Sequence, residues 1–425
     1  MDLRDCKRTK LACYATNVAM SSVFGLPPLL FATFREMYGI SYTLLGTLVL
    51  INFCTQLAVD LIFTFFTKYF NIHKAIRFMP LLTSLGLVLY ALIPAFWSNF
   101  AYAGLVAGTF LFSIAAGLGE VLISPVIAAL PSDTPDKDMS TLHSLYGYGL
   151  VGVILVSTLF LQFVGSDYWV YLTLFWAILP VIASVMLFRC NLPDMNIQQT
   201  SSKDKSVFKK QILVFCTICI FLGAAAEITM TNWISVYAEN VLHIPKIWGD
   251  TFGMCLFAAL LALTRSAYAK FGKNIFRVLT LSMIGAALCY LTISFTSVIA
   301  LSFVACILLG VCTSMLWPGT LILMEEKIPA VGVAAYALMA AGGDMGASVA
   351  PQMLGAVVDS VSASEWVFAI AERLSVSCEE IGFKVGMFLA ALFPIAGCIL
   401  LICMKRFLNK KKLVNSRNLY ENNSN

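Results

Sequence analysis

The sequence predicts an all-α membrane protein of twelve transmembrane helices in two six-helix pseudo-repeats. Three observations carry that prediction: the composition, the count of apolar runs and a repeat inside the chain. Of the 425 residues, 60% are hydrophobic and 12% charged, with a mean hydropathy of +0.85. Soluble proteins carry roughly 25% charged residues, so little of this chain can stand in water. The formal charge of +5 does not point to nucleic acid, because the basic residues sit in short loops between apolar runs, where they orient a membrane protein.

A helix needs about 20 apolar residues to cross a bilayer. Six such runs fall at 11–34, 44–66, 76–96, 100–130, 145–164 and 168–188, and six more at 212–238, 248–269, 275–295, 298–324, 333–358 and 385–407. The first run is too long for the apolar core of a signal peptide, so it is read as an uncleaved span. Residues 1–188 form the N-terminal half, 189–211 a polar linker, 212–408 the C-terminal half and 409–425 a basic, then polar tail expected to be disordered. With both ends in the cytoplasm, 23 of the 28 Lys and Arg fall on the inside, which sets the expected orientation. Between the last two spans, Glu365, Glu372, Arg373, Glu379 and Glu380 among apolar residues suggest a short amphipathic surface helix, with a solvated loop as the alternative. The thirteen cysteines lie mostly in apolar runs and read as small buried hydrophobes; Cys216 and Cys219 form an isolated CxxC with no second pair.

The halves repeat at an offset of 193: Gly117 matches Gly310, Pro125 matches Pro318, His143 matches Tyr336 and Gly149 matches Gly342. The prolines mark kinks, because each lacks an N–H for the carbonyl four residues back, Val121 in the first half. The repeat breaks where Glu120 faces Thr313, so the scaffold does not demand that acid. A carboxylate inside an apolar run is costly and reads as functional. Asp60, Glu120, Glu227, Arg265 and Asp344 are the ionisable residues placed within spans, and His143, which titrates near neutrality, opens the fifth span. Glu120 is read as a proton carrier or substrate ligand, or as a structural partner of Arg265 or His143. For Arg265, Asp344 and Glu120 are the candidate partners. Asn17, Asn52, Gln56, Tyr146, Asn232, Trp233, Tyr237 and Trp317 are candidate polar or aromatic lining, with interhelical hydrogen bonds as the alternative role. Pro125, Pro318, Gly149 and Gly342 are the candidate hinges.

The stretches GLGExxxxPxxxxL (from Gly117), LHSLYGYG (from Leu142), FLGAAAEITMTNWISVY (to Tyr237), GVCTSMLWPGTLIL (from Gly310) and GDMGASVAPQMLGAVVD (to Asp359) resemble the major facilitator superfamily, most closely its fucose permease-type branch of sugar–cation symporters. The resemblance covers most of the chain and implies a solute site between the halves near mid-membrane. Two departures stand out. Thr67 occupies the place of the usual Asp in the loop motif after the second span, with Asn71 near the place of its Gly, and Pro27–Pro28 replace the first-span acid of that branch.

The expected protein is therefore a secondary active transporter of a small polar solute, such as a sugar. It would be coupled to H⁺ (or Na⁺), sit as a multi-pass monomer in the inner or plasma membrane, and work without a cofactor, metal or nucleic acid. A drug–proton antiporter is the alternative, and a non-transporting nutrient sensor the alternative of another class. No HExxH, nucleophile–base pair or cofactor motif suggests an enzyme.

Overall fold

The computed structural model describes residues 3–66, 69–132, 135–193, 207–328 and 333–422. In order, the helices are α1 (Leu3–Tyr38), α2 (Tyr42–Phe66), α3 (Ile72–Phe96), α4 (Ala101–Ala129), α5 (Pro135–Phe163) and α6 (Trp169–Phe188) in the first half. The second half has α7 (Val207–Asn240), α8 (Lys246–Trp248), a π-helical turn (Gly249–Cys255), α9 (Leu256–Phe271), α10 (Ile275–Phe295), α11 (Ile299–Thr313), α12 (Leu316–Lys327), α13 (Val333–Ser362), α14 (Glu365–Leu374) and α15 (Cys378–Asn422). Among the described residues, eleven helical stretches are long and apolar enough to cross a bilayer, and α13, which passes the same test only together with α14 across an 80° bend, brings the number to as many as twelve. Exposed Leu85, Phe163, Phe175, Leu288 and Ile399 show that the outer solvent of this bundle is lipid rather than water.

The expected repeat is present in the packing. In the first half α1 packs on α5, α3 on α6 and α3 on α4; in the second α7 packs on α13, α10 on α15 and α10 on α11. The start of the third span of each half is built alike. Asn71 accepts a hydrogen bond from Lys74 N at 3.0 Å, and Asn274 accepts one from Arg277 N at 3.2 Å, so each asparagine satisfies an orphan donor of a helix N-terminus.

Gly149 and Gly342 mark corresponding close approaches. A Cβ on Gly149 would come 2.5 Å from Ser21 Oγ on α1, and one on Gly342 would come 3.0 Å from the Thr217 carbonyl on α7. The glycines matched in the sequence thus let the fifth span of each half lie directly on its first.

Several elements depart from the sequence expectation. The helices overrun the apolar runs: α1 begins at Leu3, ahead of the run that starts at Leu11, and α15 continues to Asn422 where a disordered tail is expected from Asn409. Its lysine-rich extension has no Pro or Gly to stop it. Helix α5 begins at Pro135, ahead of the fifth apolar span, which runs Ser144–Phe163; the His143 side chain lies outside the described residues, as do Thr67 and most of the linker. The segment between the last two spans forms α14, with Val367 and Ala371 buried beneath it, so the surface-helix expectation holds.

The hydrogen bonds that join the halves among the described residues all lie on the side away from the chain termini. Asp359 of α13 accepts from the first amides of α2, Tyr42 N at 3.2 Å and Thr43 N at 2.6 Å, and so caps that helix across the interface. Arg35 pairs with Glu379 and lies 4.0 Å over the Tyr42 ring. Tyr42 Oη donates to Glu379 at 2.8 Å and accepts from Asn240 Nδ2 at 2.9 Å. Backbones meet closely here, because a Cβ on Gly355 would stand 2.3 Å from the Tyr42 carbonyl.

Candidate functional site

Below that closure, toward the termini, lies a cavity of about 60 Å³ between the halves, room for a few waters. Phe24, Phe31, Phe53, Phe112 and Tyr146 form its aromatic wall, and Asn52, Thr109, Thr231 and Asn232 its polar positions. Phe24 holds two of these rings, meeting Tyr146 edge-on at 5.8 Å and Phe53 at 6.2 Å. Asn52 is fixed by its neighbours: its Oδ1 accepts from Gln56 Nε2 at 3.1 Å, and the Ser113 hydroxyl lies 2.6 Å away. Asn232 spends one amide hydrogen on the Ile228 carbonyl at 2.9 Å. Tyr146, Asn232 and Asn52 are thus brought to the cavity, and Gln56 stands one turn behind it.

A second group of residues lies nearer the terminal side. Asp60 on α2, Glu120 on α4 and Asp344 on α13 are within electrostatic reach of one another, two acids of the first half and one of the second. Asp60 and Asp344 are buried, and Asp60 Oδ1 and Asp344 Oδ2 have no hydrogen-bond partner among the described residues. An unpartnered buried carboxylate oxygen is expensive and marks a place where a proton or a ligand enters the account. Glu120 differs from expectation. Protein surrounds its position, yet the residue is exposed rather than sealed in the core. Tyr146 connects the two groups, being within electrostatic reach of Glu120, Glu227 and Arg265.

Arg265 has a different partner from those expected. Its Nη2 donates to Glu227 Oε1 at 2.9 Å and Oε2 at 3.2 Å, not to Asp344 or Glu120. Asp344 looks from α13 toward α2, which leaves Glu227 of α7 as the acid that faces α9. Arg265 Nε also donates to the Ser314 carbonyl at 2.8 Å. Ser314 lies four residues before Pro318, so this carbonyl is the one that the proline cannot bond.

Other expected site residues fall elsewhere. Asn17 Nδ2 donates to the Leu142 carbonyl at 2.6 Å and ties α1 to α5. Trp233 and Tyr237 are fully buried; Trp233 Nε1 donates to the Pro351 carbonyl at 3.1 Å, and its ring packs on Phe31, Tyr42 and Phe383. They form an aromatic plug under the closure rather than cavity wall. Trp317 lies over Gly343, where a Cβ would come 2.3 Å from its ring. Pro125 lies inside an unbroken α4, whereas Pro318 follows a two-residue break between α11 and α12.

Sequence reasoning missed Asp250. It is fully buried in the π-helical turn, accepts from Ser235 Oγ at 2.5 Å, faces Lys246 at 3.6 Å and meets Thr158 of the first half at 3.5 Å. The eighth run was drawn from Trp248, so an acid two residues in looked like a span end. The available signal was Lys246 four residues earlier, one helical turn away. Among the described residues, no cluster of three or more His, Cys, Asp or Glu is arranged to hold a metal ion, and all thirteen cysteines are free.

Two six-span halves that close on one side over a polar and aromatic cavity are the architecture of an alternating-access membrane transporter. The family model of the Major Facilitator Superfamily matches residues 12–351, and the chain belongs to that family; it is a secondary transporter and not an enzyme. No curated protein sequence matches it. Among solved structures it is similar to a bacterial homolog of the human lysosomal transporter Spinster, described as inward-facing and unoccupied, with 12% identity, TM-score 0.72 and coverage of 96% of this chain and 99% of that one. It is also similar to the nucleoside transporter NupG (12% identity, TM-score 0.70, 93% and 99% covered) and to a D-xylose–proton symporter (15%, 0.67, 92% and 96%). At such identities the likeness is one of fold.

Proposed function

We propose that this transporter is proton-coupled and carries a small polar solute, and that the Asp60–Glu120–Asp344 group takes up and releases the coupling proton. The observation that carries this reading is the electrostatic reach of those carboxyls for one another across the interface, two of them buried with an unpartnered oxygen and the third exposed. Moving the halves apart changes how many acids share the space, and with it the free energy of binding a proton there. Glu120 is the exposed member, so in this reading it is the exchange point. The resemblance to the fucose permease-type branch and the Asn52, Thr109, Thr231 and Asn232 positions support a sugar-like solute. The Lys and Arg distribution supports cytoplasmic termini in an inner or plasma membrane, which makes the closed side the extracellular one.

A specific observation supports a second reading, a drug–proton antiporter. Five aromatic rings line the cavity, and Tyr146 of that wall is within electrostatic reach of the acids Glu120 and Glu227 as well as of Arg265. That combination suits an organic cation.

Proteoliposomes screened with labelled sugars and with fluorescent organic cations separate the two, because the pH gradient should drive accumulation of only one set. For whichever solute is carried, Glu120→Gln should abolish pH-driven accumulation and spare solute exchange, since exchange needs no net deprotonation. Full pH-driven accumulation by that variant would remove Glu120 from coupling. Loss of both activities with the fold intact would make it a solute ligand instead.

A further inference from the structure

The segment between the last two spans is built for lipid. Helix α14 turns 80° away from α13, so at the end of a span that runs through the bilayer it lies along the bilayer surface. Val367 and Ala371, four apart, are buried against the protein. Trp366, Ile370 and Leu374 run along one flank of that buried line, and Phe368 stands on the other. They are 54%, 39%, 62% and 57% exposed, although they are the largest apolar side chains of the helix. Glu365, Glu372 and Arg373 occupy the remaining arc and are also exposed.

The middle of the apolar arc therefore rests on protein, while both edges overhang it. Water is a poor medium for those edges. The level of the helix is fixed by its neighbours, because α13 and α15 both cross the membrane. The exposed apolar surface of α15, including Phe388, Leu392 and Ile399, continues from it into the hydrocarbon. An amphipathic helix at that depth, with tryptophan on its apolar edge and charges outward, matches the boundary between acyl chains and headgroups.

Its position in the chain gives the contact a consequence. Asp359, just before α14, caps α2 through the Tyr42 and Thr43 amides, and Glu379, just after it, pairs with Arg35 and accepts from Tyr42 Oη at 2.8 Å. Two of the carboxylates that join the halves on this side therefore flank α14. We infer that α14 is seated in the lipid interface and that this seating supports the closure, so the bilayer helps set how readily the transporter opens on that side.

The test uses the full chain in vesicles. The difference in fluorescence between wild type and Trp366→Phe isolates Trp366. Lipids brominated near the glycerol end of their acyl chains should quench it more strongly than iodide in water does. Quenching by iodide alone, or by neither as in a contact between two copies, would overturn the seating. For the coupling, Thr47→Cys places a thiol behind the closure, where Thr47 now lies 3.1 Å from Gln352. Its labelling by an impermeant reagent, above the background of the native cysteines, should rise several-fold on adding Trp366→Ser with Ile370→Ser, or Phe368→Ser alone. It should stay level with Glu365→Gln on the outward arc. Unchanged labelling in both serine variants, with Trp366 quenched by lipid in the parent, would overturn the support of the closure.

Discussion

The fourth span and the tenth carry the same sequence device and use it differently. In each, a glycine is followed eight residues later by a proline that frees a carbonyl. In the tenth, the freed Ser314 carbonyl is taken by Arg265, which is itself held by both oxygens of Glu227. The chain breaks there between α11 and α12 and is then pinned. In the fourth, α4 runs unbroken past Pro125, and the residue matching Thr313 is Glu120, an exposed carboxylate. One half has an anchored irregularity and the other a regular helix with an unanchored charge. A fixed partner makes an acid structural; an acid facing water and other acids is free to change its protonation. The difference between the spans locates the variable element of the bundle in the first half.

The largest effect should come from removing the anchor. Arg265→Ala strands the Glu227 carboxylate and leaves the Ser314 carbonyl without its donor. Loss of one partner of a fully buried pair costs about 3–5 kcal/mol. With the Arg265 side chain 37% exposed, about 2 kcal/mol is the expected loss. Adding Glu227→Gln should restore part of the lost thermal stability, because the stranded charge goes; adding Asp344→Asn or Glu120→Gln should restore none. Rescue by either of those instead would mean that the anchor lies elsewhere and the contrast between the spans fails.

The contrast also separates what the sequence could show from what it could not. Apolar runs of span length and a repeat offset of 193 depend on lipid as solvent and on local helix formation, and both are written in the order of residues. Hence the twelve spans and the matching glycines Gly149 and Gly342 were legible. The partner of Arg265 was not, because which of four acids faces it depends on the rotation of α7, α9 and α13 about their axes after packing. Trp233 and Tyr237 were chosen as aromatic residues beside polar ones, a pattern equally produced by a plug that seals the halves. Asp250 was hidden by a π-helical turn, which shifts side-chain direction by a residue and leaves no mark in hydropathy.

A smaller effect should distinguish the matched glycines. A Cβ on Gly342 would meet the Thr217 carbonyl at 3.0 Å and Thr217 Cγ2 at 2.8 Å, a backbone obstacle that cannot rotate away. On Gly149 the nearest atom is Ser21 Oγ at 2.5 Å, a hydroxyl that can take another rotamer, and the fixed atoms behind it, Ser21 Cβ at 3.2 Å and Val18 Cα at 3.3 Å, stand farther off than the Thr217 carbonyl does from Gly342. Gly342→Ala should therefore cost about 1–3 kcal/mol, in the range of an overpacked core, and Gly149→Ala less than about 1. Thermal unfolding in detergent measures both. Equal costs would mean that the two halves yield alike at this contact.

The smallest effect concerns how the first half is tied on its terminal side. Lys10 of α1 pairs with Asp138 near the start of α5, Ser132 donates to the same carboxylate at 2.6 Å, and the Tyr14 hydroxyl donates to the Asp138 carbonyl at 3.3 Å. In the second half the matching ends are held by the Tyr336 hydroxyl and Glu325 instead. The hydrogen bonds from Lys10 and Ser132 hold the Asp138 carboxyl below the ordinary carboxylate range. A carboxylate depressed on folding stabilises the folded state fully above its unfolded value, and that contribution disappears as pH falls through the depressed one. The tie should thus be intact at neutral pH and fade under acid. As a pair near the surface it is worth about 0.5–1 kcal/mol. Asp138→Asn should lower stability by that amount at neutral pH and flatten the acid limb of the stability profile. A parallel loss at every pH in Asp138→Asn would show that the carboxylate acts there by shape rather than by charge.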